Sequence, residues 1–365
     1  MGRGSLSVGF MASAAHALTR DTIAALLGFE HAVATGRGRS ALALALMASG
    51  LPQGAPVLLP ANICPSVIAA INFAGMVPHI LPVVLRTGLP DEAEAIAKLR
   101  SMQGRGAILL AHLYGFHCAH HELIDAAKER GWFVMESDPM AIRAFIASSD
   151  RLASDILIAS FGSGKALDAR GGGALLTNDS SLTKKADDIV REWPRISGHD
   201  DAVETHLIMH RRALRQRGQA ALYAPALANE LSQIPRAAAI NWSALAEAVD
   251  GLPGKRARAQ ADWSAWAERL TDSALLPLSA PVSPWRMIAL APDTTSRDRC
   301  VQILRREGFN VGTNYPSAAS FFPTLAHHDP ALRADAFGAR VLNFWLPDIT
   351  SSQGDAIMRV LRDVL

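Results

Sequence analysis

Lys165 is the residue whose surroundings most clearly suggest chemistry. It lies in the stretch SFGSGKALDARGGGALLTND, which runs from Ser160 to Asp179 and is rich in glycine and serine. A lysine amine in such a stretch can bind a nucleotide phosphate, condense with a carbonyl, or remain an ordinary exposed charge. Each of these roles requires different neighbouring residues, and those neighbours decide between them.

The spacing around the lysine excludes two phosphate-binding loops. A P-loop needs glycine five residues before Gly164 and Ser or Thr directly after the lysine, but the sequence has Ala159 and Ala166 at these positions. The dinucleotide fingerprint begins correctly at Gly162 and Gly164, but Leu167 stands where its third glycine belongs. Neither loop explains the lysine.

A Schiff base with pyridoxal phosphate is the interpretation for which the sequence supplies the other required groups. The site needs a carboxylate near the ring nitrogen, together with hydroxyl and backbone N–H groups for the phosphate. Asp138 follows the apolar run WFVMES, and Ser160 ends the run DILIAS. Residues 38–41 (GRSA) open an Ala- and Leu-rich helix whose first turn has free N–H groups. On spacing alone, an exposed lysine remains the alternative.

Strands and helices alternate along the first half of the chain. Residues 51–85 contain no Asp, Glu, Lys or Arg, but their six prolines exclude a membrane-spanning helix. Such unbroken apolar runs are typical of parallel strands that are covered on both faces. The pattern predicts an α/β fold with a mostly parallel sheet. Strands are predicted at 57–60, 79–85, 106–113, 132–137, 154–161 and 172–178, and helices at 39–50, 65–75 and 118–131.

The second half of the chain predicts helices followed by a smaller α+β domain. Residues 180–270 are rich in Ala, Leu, Arg and Glu and are predicted to be mainly helical. Strands are predicted at 285–292, 309–311 and 339–347, and helices at 296–308 and 350–365. We therefore expect an N-terminal extension over 1–25, a large domain over 26–250 and a small domain over 251–365.

Composition narrows the class of protein. Hydrophobic residues make up 49% of the 365 residues, and the net charge of +2 without a dense basic run gives no reason to expect nucleic acid as a partner. The three cysteines are widely spaced and odd in number, which indicates a reducing compartment, the cytoplasm, rather than a disulfide framework. The N-terminal residues only loosely imitate a signal peptide, so we expect a disordered lead-in there.

The stretch around Lys165 resembles the DegT/DnrJ/EryC1/StrS sugar aminotransferase family. The matching features, in order and spacing, are Ser160-Phe161, Lys165, Gly172-Gly173 and Thr177-Asn178-Asp179. Residues 38–46, 58–83, 111–116 and 297–316 resemble further segments of the family. The resemblance implies a fold type I transferase dependent on pyridoxal phosphate, with a mostly parallel seven-stranded sheet in its large domain and a smaller C-terminal α+β domain.

The resemblance also implies roles for individual residues. Lys165 would form the Schiff base and move protons at the substrate carbon. Asp138 would pair with the pyridine nitrogen, with Glu136 as the competing carboxylate because the register of the motif is open by one or two residues. Ser160, Arg39 and Ser40 would bind the cofactor phosphate, and Cys64 or Ile63 occupies the place beside the ring. The expected substrate-side residues are Arg286, Asn314 and Tyr315.

Four departures from the family pattern leave the substrate open. Cys64 or Ile63 stands where an aromatic residue usually stacks on the ring, and Ala141 replaces the Gln or His that follows the ring-binding Asp. Asn314 replaces a His before Tyr-Pro, and no Gly-x-Asn-x-Arg element occurs between 195 and 240. These departures leave the lysine chemistry in place.

The expected reaction is transamination. Glutamate or glutamine would donate an amino group to a keto group on a sugar nucleotide or a related small metabolite, in a homodimer whose sites lie at the subunit interface. Pyridoxal chemistry of another kind (dehydration, elimination or condensation) and a non-catalytic regulator are the alternatives. The histidines and cysteine within 112–121 fit no standard zinc spacing, so no metal site is predicted.

Overall fold

The computed structural model describes residues 19–195, 233–237, 240–271, 273–320, 329–345 and 351–364, with isolated residues between 202 and 226 and at 322 and 325. These residues form a seven-stranded and a four-stranded sheet, each covered by helices. No helix among the described residues is long and apolar enough to cross a membrane.

The large sheet has the strand order β1-β7-β6-β5-β4-β2-β3. Neighbouring strands pair in parallel from β3 through β2, β4 and β5 to β6, whereas β7 is antiparallel to both β1 and β6. This arrangement confirms the predicted mostly parallel seven-stranded sheet. Its strands are β1 (His31–Thr35), β2 (Pro56–Pro60), β3 (Val77–Leu81), β4 (Ala107–Ala111), β5 (Phe133–Ser137), β6 (Ile156–Ser160) and β7 (Gly173–Thr177).

Helices cover both faces of the large sheet, which explains why its strands are apolar without interruption. Met135 of β5 belongs to the apolar cluster that includes α2 and α3, whereas its neighbour Val134 belongs to the cluster that includes α4 and α5. Because successive side chains of a strand point to opposite faces of the sheet, the two faces carry separate apolar cores. The helices are α1 (Arg20–Leu27), α2 (Gly38–Ala48), α3 (Pro65–Phe73), α4 (Glu92–Ser101), α5 (His121–Glu129) and α6 (Ser180–Arg191).

The small sheet is antiparallel throughout, in the order β10-β11-β9-β8. One face packs on helices through Met287 and Phe344, beside the buried Trp263 and Trp266. Its strands are β8 (Leu276–Pro277), β9 (Arg286–Leu290), β10 (Val311–Gly312) and β11 (Val341–Trp345). The helices of this half are α7 (Trp242–Asp250), α8 (Leu252–Leu270), α9 (Thr294–Arg306), α10 (Asp329–Arg340) and α11 (Ser351–Val364).

Several strands and helices begin or end at residues other than those predicted from the sequence. Strand β3 stops at Leu81 rather than residue 85, because Pro82 follows it and cannot donate to a ladder. Helix α10 occupies Asp329–Arg340, so β11 begins two residues later than predicted. Helix α1 crosses the expected boundary at residue 25. The domain boundaries themselves stay predictions, and the lead-in over 1–18 lies outside the described residues.

Candidate active site

The loop that carries Lys165 follows the end of β6. One hydrogen bond within the loop and one to the segment after β5 fix its conformation. The backbone N–H of Gly164 donates to Asp168 at 3.0 Å, and the N–H of Ala166 donates to the carbonyl of Pro139 at 3.3 Å. Gly164 has a φ of +78°, and a Cβ on it would lie 2.8 Å from the indole of Trp345. Only glycine meets both conditions without strain.

The Lys165 side chain is half-buried between the large sheet and the small one. Its Nζ lies 5.6 Å from the centroid of the Trp285 ring. Burial lowers the pKa of the lysine; Cys64 opposes this, and the positive charge of Arg286 adds to it. A lowered pKa increases the fraction of neutral amine, the form that attacks a carbonyl or accepts a proton.

The start of α2 lies beside the end of β6. This part of the candidate site, formed by Gly38, Arg39, Ser40 and Ser160, is called the anion-binding end. A Cβ on Gly38, the first residue of α2, would lie 2.9 Å from the Cβ of Ser160 and 3.1 Å from its Oγ. A Cβ on Gly173 would lie 2.5 Å from the nitrogen of Gly38, so β7 also approaches this point. The first-turn N–H groups of a helix have no partner within it, and they favour an anion.

Ser40 provides the clearest sign that this end fits a phosphate. Its side chain is fully buried, and its Oγ has no hydrogen-bond partner within the part of the chain that the structure describes. A buried hydroxyl without a partner is costly unless a ligand supplies one. The half-buried Arg39 precedes it in the same turn. The unpartnered hydroxyl, the nearby Ser160 and the helix start together fit the phosphate of pyridoxal phosphate.

Asp138 lies directly after β5 and is held by backbone hydrogen bonds. Its Oδ1 accepts the N–H of Ile142 at 2.8 Å, and its Oδ2 accepts that of Arg143 at 3.0 Å. Ala141 has a φ of 52°, and this left-handed residue turns the following two N–H groups toward the carboxylate. Thus, at the position where the family pattern has Gln or His, the backbone supplies the hydrogen bonds. Burial raises the pKa of Asp138.

Glu136 is committed to a buried network of side chains. It accepts a hydrogen bond from His112 Nε2 at 2.9 Å and also contacts the guanidinium of Arg143 and the hydroxyl of Ser154. Burial raises the pKa of Glu136, but these partners outweigh it and hold the pKa below its usual range. Because three side chains already bind Glu136, the geometry favours Asp138 as the ring-nitrogen partner.

The histidine-rich segment is part of this network. His112 Nδ1 accepts the backbone N–H of Cys118 at 3.1 Å, so its proton is on Nε2 and is donated to Glu136. His120 Nε2 lies 3.0 Å from the carbonyl of Pro90. Among the residues the structure describes, no group of three or more His, Cys, Asp or Glu side chains is placed to hold a metal ion.

Cys64 and Trp285 lie near the lysine and come from distant parts of the chain. Cys64 is the half-buried residue before α3 and lies close enough to affect the pKa of Lys165. Trp285 packs edge-on against Trp345, with ring centroids 5.5 Å apart. The sequence predicted Arg286 as a substrate-side residue and gave no sign that Trp345 lies beside it. The pair is adjacent because β9 and β11 are paired, which no local pattern indicates.

The three predicted substrate-side residues have different environments. Arg286 is brought to the lysine, since its guanidinium lies 4.2 Å from the centroid of the Trp285 ring. The backbone N–H of Asn314 donates to Oδ1 of Asn343, on strand β11, at 2.6 Å. Tyr315 packs against Tyr114 at 6.1 Å between ring centroids, and its N–H donates to the Tyr114 hydroxyl at 3.0 Å. The missing Asn element, expected within 195–240, falls largely outside the described residues.

The chain belongs to the DegT/DnrJ/EryC1/StrS aminotransferase family, whose sequence pattern matches residues 19–364. Enzymes of this family depend on pyridoxal phosphate, in agreement with the helix start that fits a phosphate and with the half-buried lysine. The family and cofactor predicted from the sequence are confirmed.

The curated relatives include a GDP-perosamine synthase and a transaminase named for a dTDP-linked amino sugar. The chain is 29% identical over 161 residues to GDP-perosamine synthase of Caulobacter vibrioides, a match that covers 43% of this chain and 42% of that protein. It is 24% identical over 343 residues to dTDP-3-amino-3,4,6-trideoxy-alpha-D-glucose transaminase of Streptomyces venezuelae, covering 92% and 83% of the two chains. The first of these matches therefore spans less than half of the relative.

Solved structures share the fold over nearly the whole chain. DesI, solved in the presence of its TDP-sugar product, superposes with a TM-score of 0.73 at 20% identity, covering 94% of this chain and 82% of that one. A family aminotransferase from Brucella abortus gives 0.70 at 18% identity, with 94% and 88% covered. At these identities the likeness shows the fold alone, and it confirms the fold class predicted from the sequence.

Proposed function

We propose that this chain is a pyridoxal phosphate-dependent aminotransferase that moves an amino group from glutamate or glutamine to a keto group. The acceptor is a sugar nucleotide or a related small metabolite. The observation that carries the proposal is the position of Lys165, a half-buried lysine of lowered pKa whose neighbour Ala166 is hydrogen-bonded to Pro139, next to Asp138. Family membership and the names of the relatives support the same reaction.

Each residue then has one task. The cofactor, when bound, supplies the electron sink and carries the amino group between donor and acceptor. Lys165 would hold the cofactor through its Nζ and, once free of it, would accept and return a proton at that atom. Asp138 would hold its negative charge toward the ring nitrogen, and a positive charge there would offset the cost of burying the carboxylate.

The remaining site residues hold the cofactor in place. Ser160, the Ser40 hydroxyl and the first-turn N–H groups at Arg39 and Ser40 bind the phosphate. Cys64 borders the ring in place of an aromatic residue. Arg286, Asn314 and Tyr315 form the substrate side.

A homodimer in the cytoplasm is the second part of the proposal. The resemblance implies sites at a subunit interface, and Met47, Phe73 and Val77 are large apolar side chains left exposed. Light scattering behind size-exclusion chromatography is expected to give about twice the chain mass of 38.9 kDa. A mass equal to that of one chain would contradict the dimer, and it would leave the proposed reaction of Lys165 untested.

Visible absorption tests the reaction directly. The purified protein loaded with cofactor is expected to absorb at roughly 410–430 nm, where Schiff bases of this cofactor absorb. Glutamate should remove the band and a keto acid should restore it, whereas dehydration, elimination or condensation chemistry would not require this response to glutamate. Lys165→Ala should lack the band, and Lys184→Ala, a change to an exposed lysine on α6, should keep it. A band unaffected by Lys165→Ala would refute the role of this residue.

A further inference from the structure

The loop that follows Asp138 binds its carboxylate through backbone groups. Oδ1 accepts the N–H of Ile142 at 2.8 Å, and Oδ2 accepts the N–H of Arg143 at 3.0 Å. Ala141, which stands where the family pattern has Gln or His, has no polar side-chain atom to offer. A carboxylate accepts about four hydrogen bonds, so two N–H groups leave acceptor sites for a ring nitrogen. The direction of the carboxylate therefore depends on the backbone of residues 139–143.

This backbone contains a conformation that alanine rarely adopts. Ala141 has a φ of 52° and a ψ of 39°, in the left-handed region that is unfavourable for a residue with a Cβ. Such a residue persists only where its surroundings hold it. If the loop were released, the alanine would relax toward a right-handed or extended conformation. The two N–H groups that follow it would then turn away from the carboxylate of Asp138, so the end of the loop needs an anchor.

The buried side chain of Arg143 supplies this anchor. Its guanidinium contacts the carboxylate of Glu136, and its Nη1 lies 3.3 Å from Ser154 Oγ and 3.4 Å from the carbonyl oxygen of Leu152. The guanidinium also lies over the ring of Phe29, 4.6 Å from the centroid. A planar guanidinium presents several donors in a fixed geometry, so it can hold all these contacts at once. Its position is therefore set by four different parts of the chain.

Glu136 is itself fixed relative to Asp138. It lies two residues earlier, inside strand β5, which pairs with β4 on one side and β6 on the other. Its Oε2 accepts the Nε2–H of His112 at 2.9 Å, which leaves Oε1 to the guanidinium. Arg143 thus contacts a rigid point of the sheet through its side chain and contacts the ring-binding carboxylate through its backbone.

We propose that Arg143 is a positioning residue of the cofactor site: anchored on Glu136, it holds the N–H groups that aim the carboxylate of Asp138 at the ring nitrogen. This inference rests on the proposed role of Asp138 as the partner of that nitrogen. An ion pair that only stabilised the fold would affect unfolding alone. A positioning residue affects, in addition, the contact between Asp138 and the ring nitrogen.

Two forms of the cofactor isolate that contact. Pyridoxal phosphate and its 1-deaza analogue, in which carbon replaces the ring nitrogen, share the aldehyde that meets Lys165 and the phosphate that meets the anion-binding end. The ratio of their dissociation constants, measured by absorbance titration of the cofactor-free protein, therefore reports the ring-nitrogen contact by itself. The unchanged protein is expected to prefer the nitrogen form about 10- to 100-fold, the range for a hydrogen bond to a charged group.

The variants remove the anchor and leave Asp138 in place. Arg143→Met alone would strand the buried charge of Glu136, so it is combined with Glu136→Gln. This double variant should lower the preference to less than about threefold, because the ring-nitrogen contact is lost. Arg143→Lys keeps the charge but has no fork of donors, and it should give an intermediate preference. The control Leu109→Ala opens a cavity in the core of β4 and should keep the preference within about twofold.

Asp138→Ala separates failure of this inference from failure of the proposed function. If Asp138→Ala keeps the full preference, Asp138 does not bind the ring nitrogen, and both the proposed role and the positioning by Arg143 are wrong. If Asp138→Ala abolishes the preference and the double variant retains it, Arg143 is a structural residue and this inference alone is overturned. Urea unfolding shows whether each variant is folded. Should the double variant be unfolded, Arg143→Lys decides, and a preference equal to that of the unchanged protein overturns the inference.

Discussion

The two ends of the candidate site differ in the groups that form them: one consists mainly of backbone and the other of side chains. The anion-binding end, where α2 starts beside Ser160, consists mainly of backbone: free N–H groups and close glycine contacts at Gly38 and Gly173. The small-sheet end consists of side chains, with the Arg286 guanidinium beside the rings of both Trp285 and Trp345. Backbone groups at a helix start bind any phosphate in the same way, whereas side chains can differ between members of one family. The comparison thus separates cofactor binding from substrate choice.

The largest expected effect is at the cofactor ring. Asp138→Asn removes the charge at the ring nitrogen and is expected to lower kcat about 100-fold or more, as for other electrostatic contacts to a reacting group. Glu136→Gln should act differently, because it leaves the buried Arg143 guanidinium without its charge partner. That change should cost about 3–5 kcal/mol of folding stability.

Steady-state kinetics and urea unfolding of both variants distinguish the two carboxylates. If Glu136→Gln stops catalysis at unchanged stability while Asp138→Asn stays active, the assignment of the ring partner is reversed.

The two ends should respond oppositely to matched changes. Ser160→Ala and Ser40→Ala each remove a hydroxyl from the phosphate and should weaken cofactor binding about 10-fold. Donor binding to the loaded protein should stay within about twofold. Arg286→Gln should show the reverse pattern. Fluorescence titration with the cofactor measures the first affinity, and titration of the loaded protein with α-methylglutamate, a donor analogue without an α-hydrogen, measures the second. Equal losses of both affinities in all three variants would contradict the distinction between the two ends.

A smaller effect concerns the hydrogen bond that joins the Tyr315 segment to Tyr114, which follows strand β4 of the large sheet. The Tyr114 hydroxyl is buried and accepts the N–H of Tyr315 at 3.0 Å. Tyr114→Phe leaves that N–H without its acceptor and should lower the free energy of unfolding by about 1–3 kcal/mol. Cofactor affinity should change little, because the hydroxyl is not at the anion-binding end. A large loss of cofactor affinity at full stability would contradict this division.

The smallest effect is a shift in pH dependence. Burial lowers the pKa of Lys165, and the charge of Arg286 lowers it further. Capture of the cofactor aldehyde needs the neutral amine, so its rate should rise with pH and level off below the ordinary lysine pKa of about 10.4. Arg286→Gln removes a like charge and should move the midpoint upward. Stopped-flow absorbance checks this, and a downward shift would show that Arg286 does not act on the lysine.

The lowered pKa of Lys165 also affects the stability of the protein without cofactor. A lysine with a lowered folded pKa binds fewer protons in the folded state, so stability increases with pH between the folded and unfolded pKa values. At neutral pH the buried amine is therefore a cost. Lys165→Met should raise the melting temperature of the cofactor-free protein, and the gain should fade as the pH rises toward the unfolded lysine pKa.

The sequence predicted the anion-binding end because its parts are local. The Ala- and Leu-rich run after Gly38 and the Ser-Phe pair at Ser160 mark the ends of a helix and a strand, and such ends meet at one edge of a parallel sheet. Asp138 was predicted for the same reason. The sequence could not favour Asp138 over Glu136, because the side chains that bind Glu136 belong to His112, Arg143 and Ser154, which no local pattern brings together.

The small-sheet end could not be predicted in full because its residues meet through long-range pairing. Arg286 and Tyr315 were singled out individually, but Asn343 and Trp345 join them only through the register of β9 with β11. The apolar run that contains Asn343 indicates a strand and gives no sign that one polar residue on it faces a site. Likewise, the left-handed Ala141 that completes the Asp138 loop has no local glycine signal.

Reduction of the cofactor-loaded protein with borohydride, followed by mass mapping of peptides, tests the central claim most directly. Borohydride fixes a bond between a lysine amine and the cofactor, so the modified residue can be read from the peptide that carries it. We predict that the cofactor is recovered on Lys165, in the peptide that follows Ser160-Phe161. Recovery on a different lysine, or a protein that binds the cofactor and yields no modified lysine, would contradict the account.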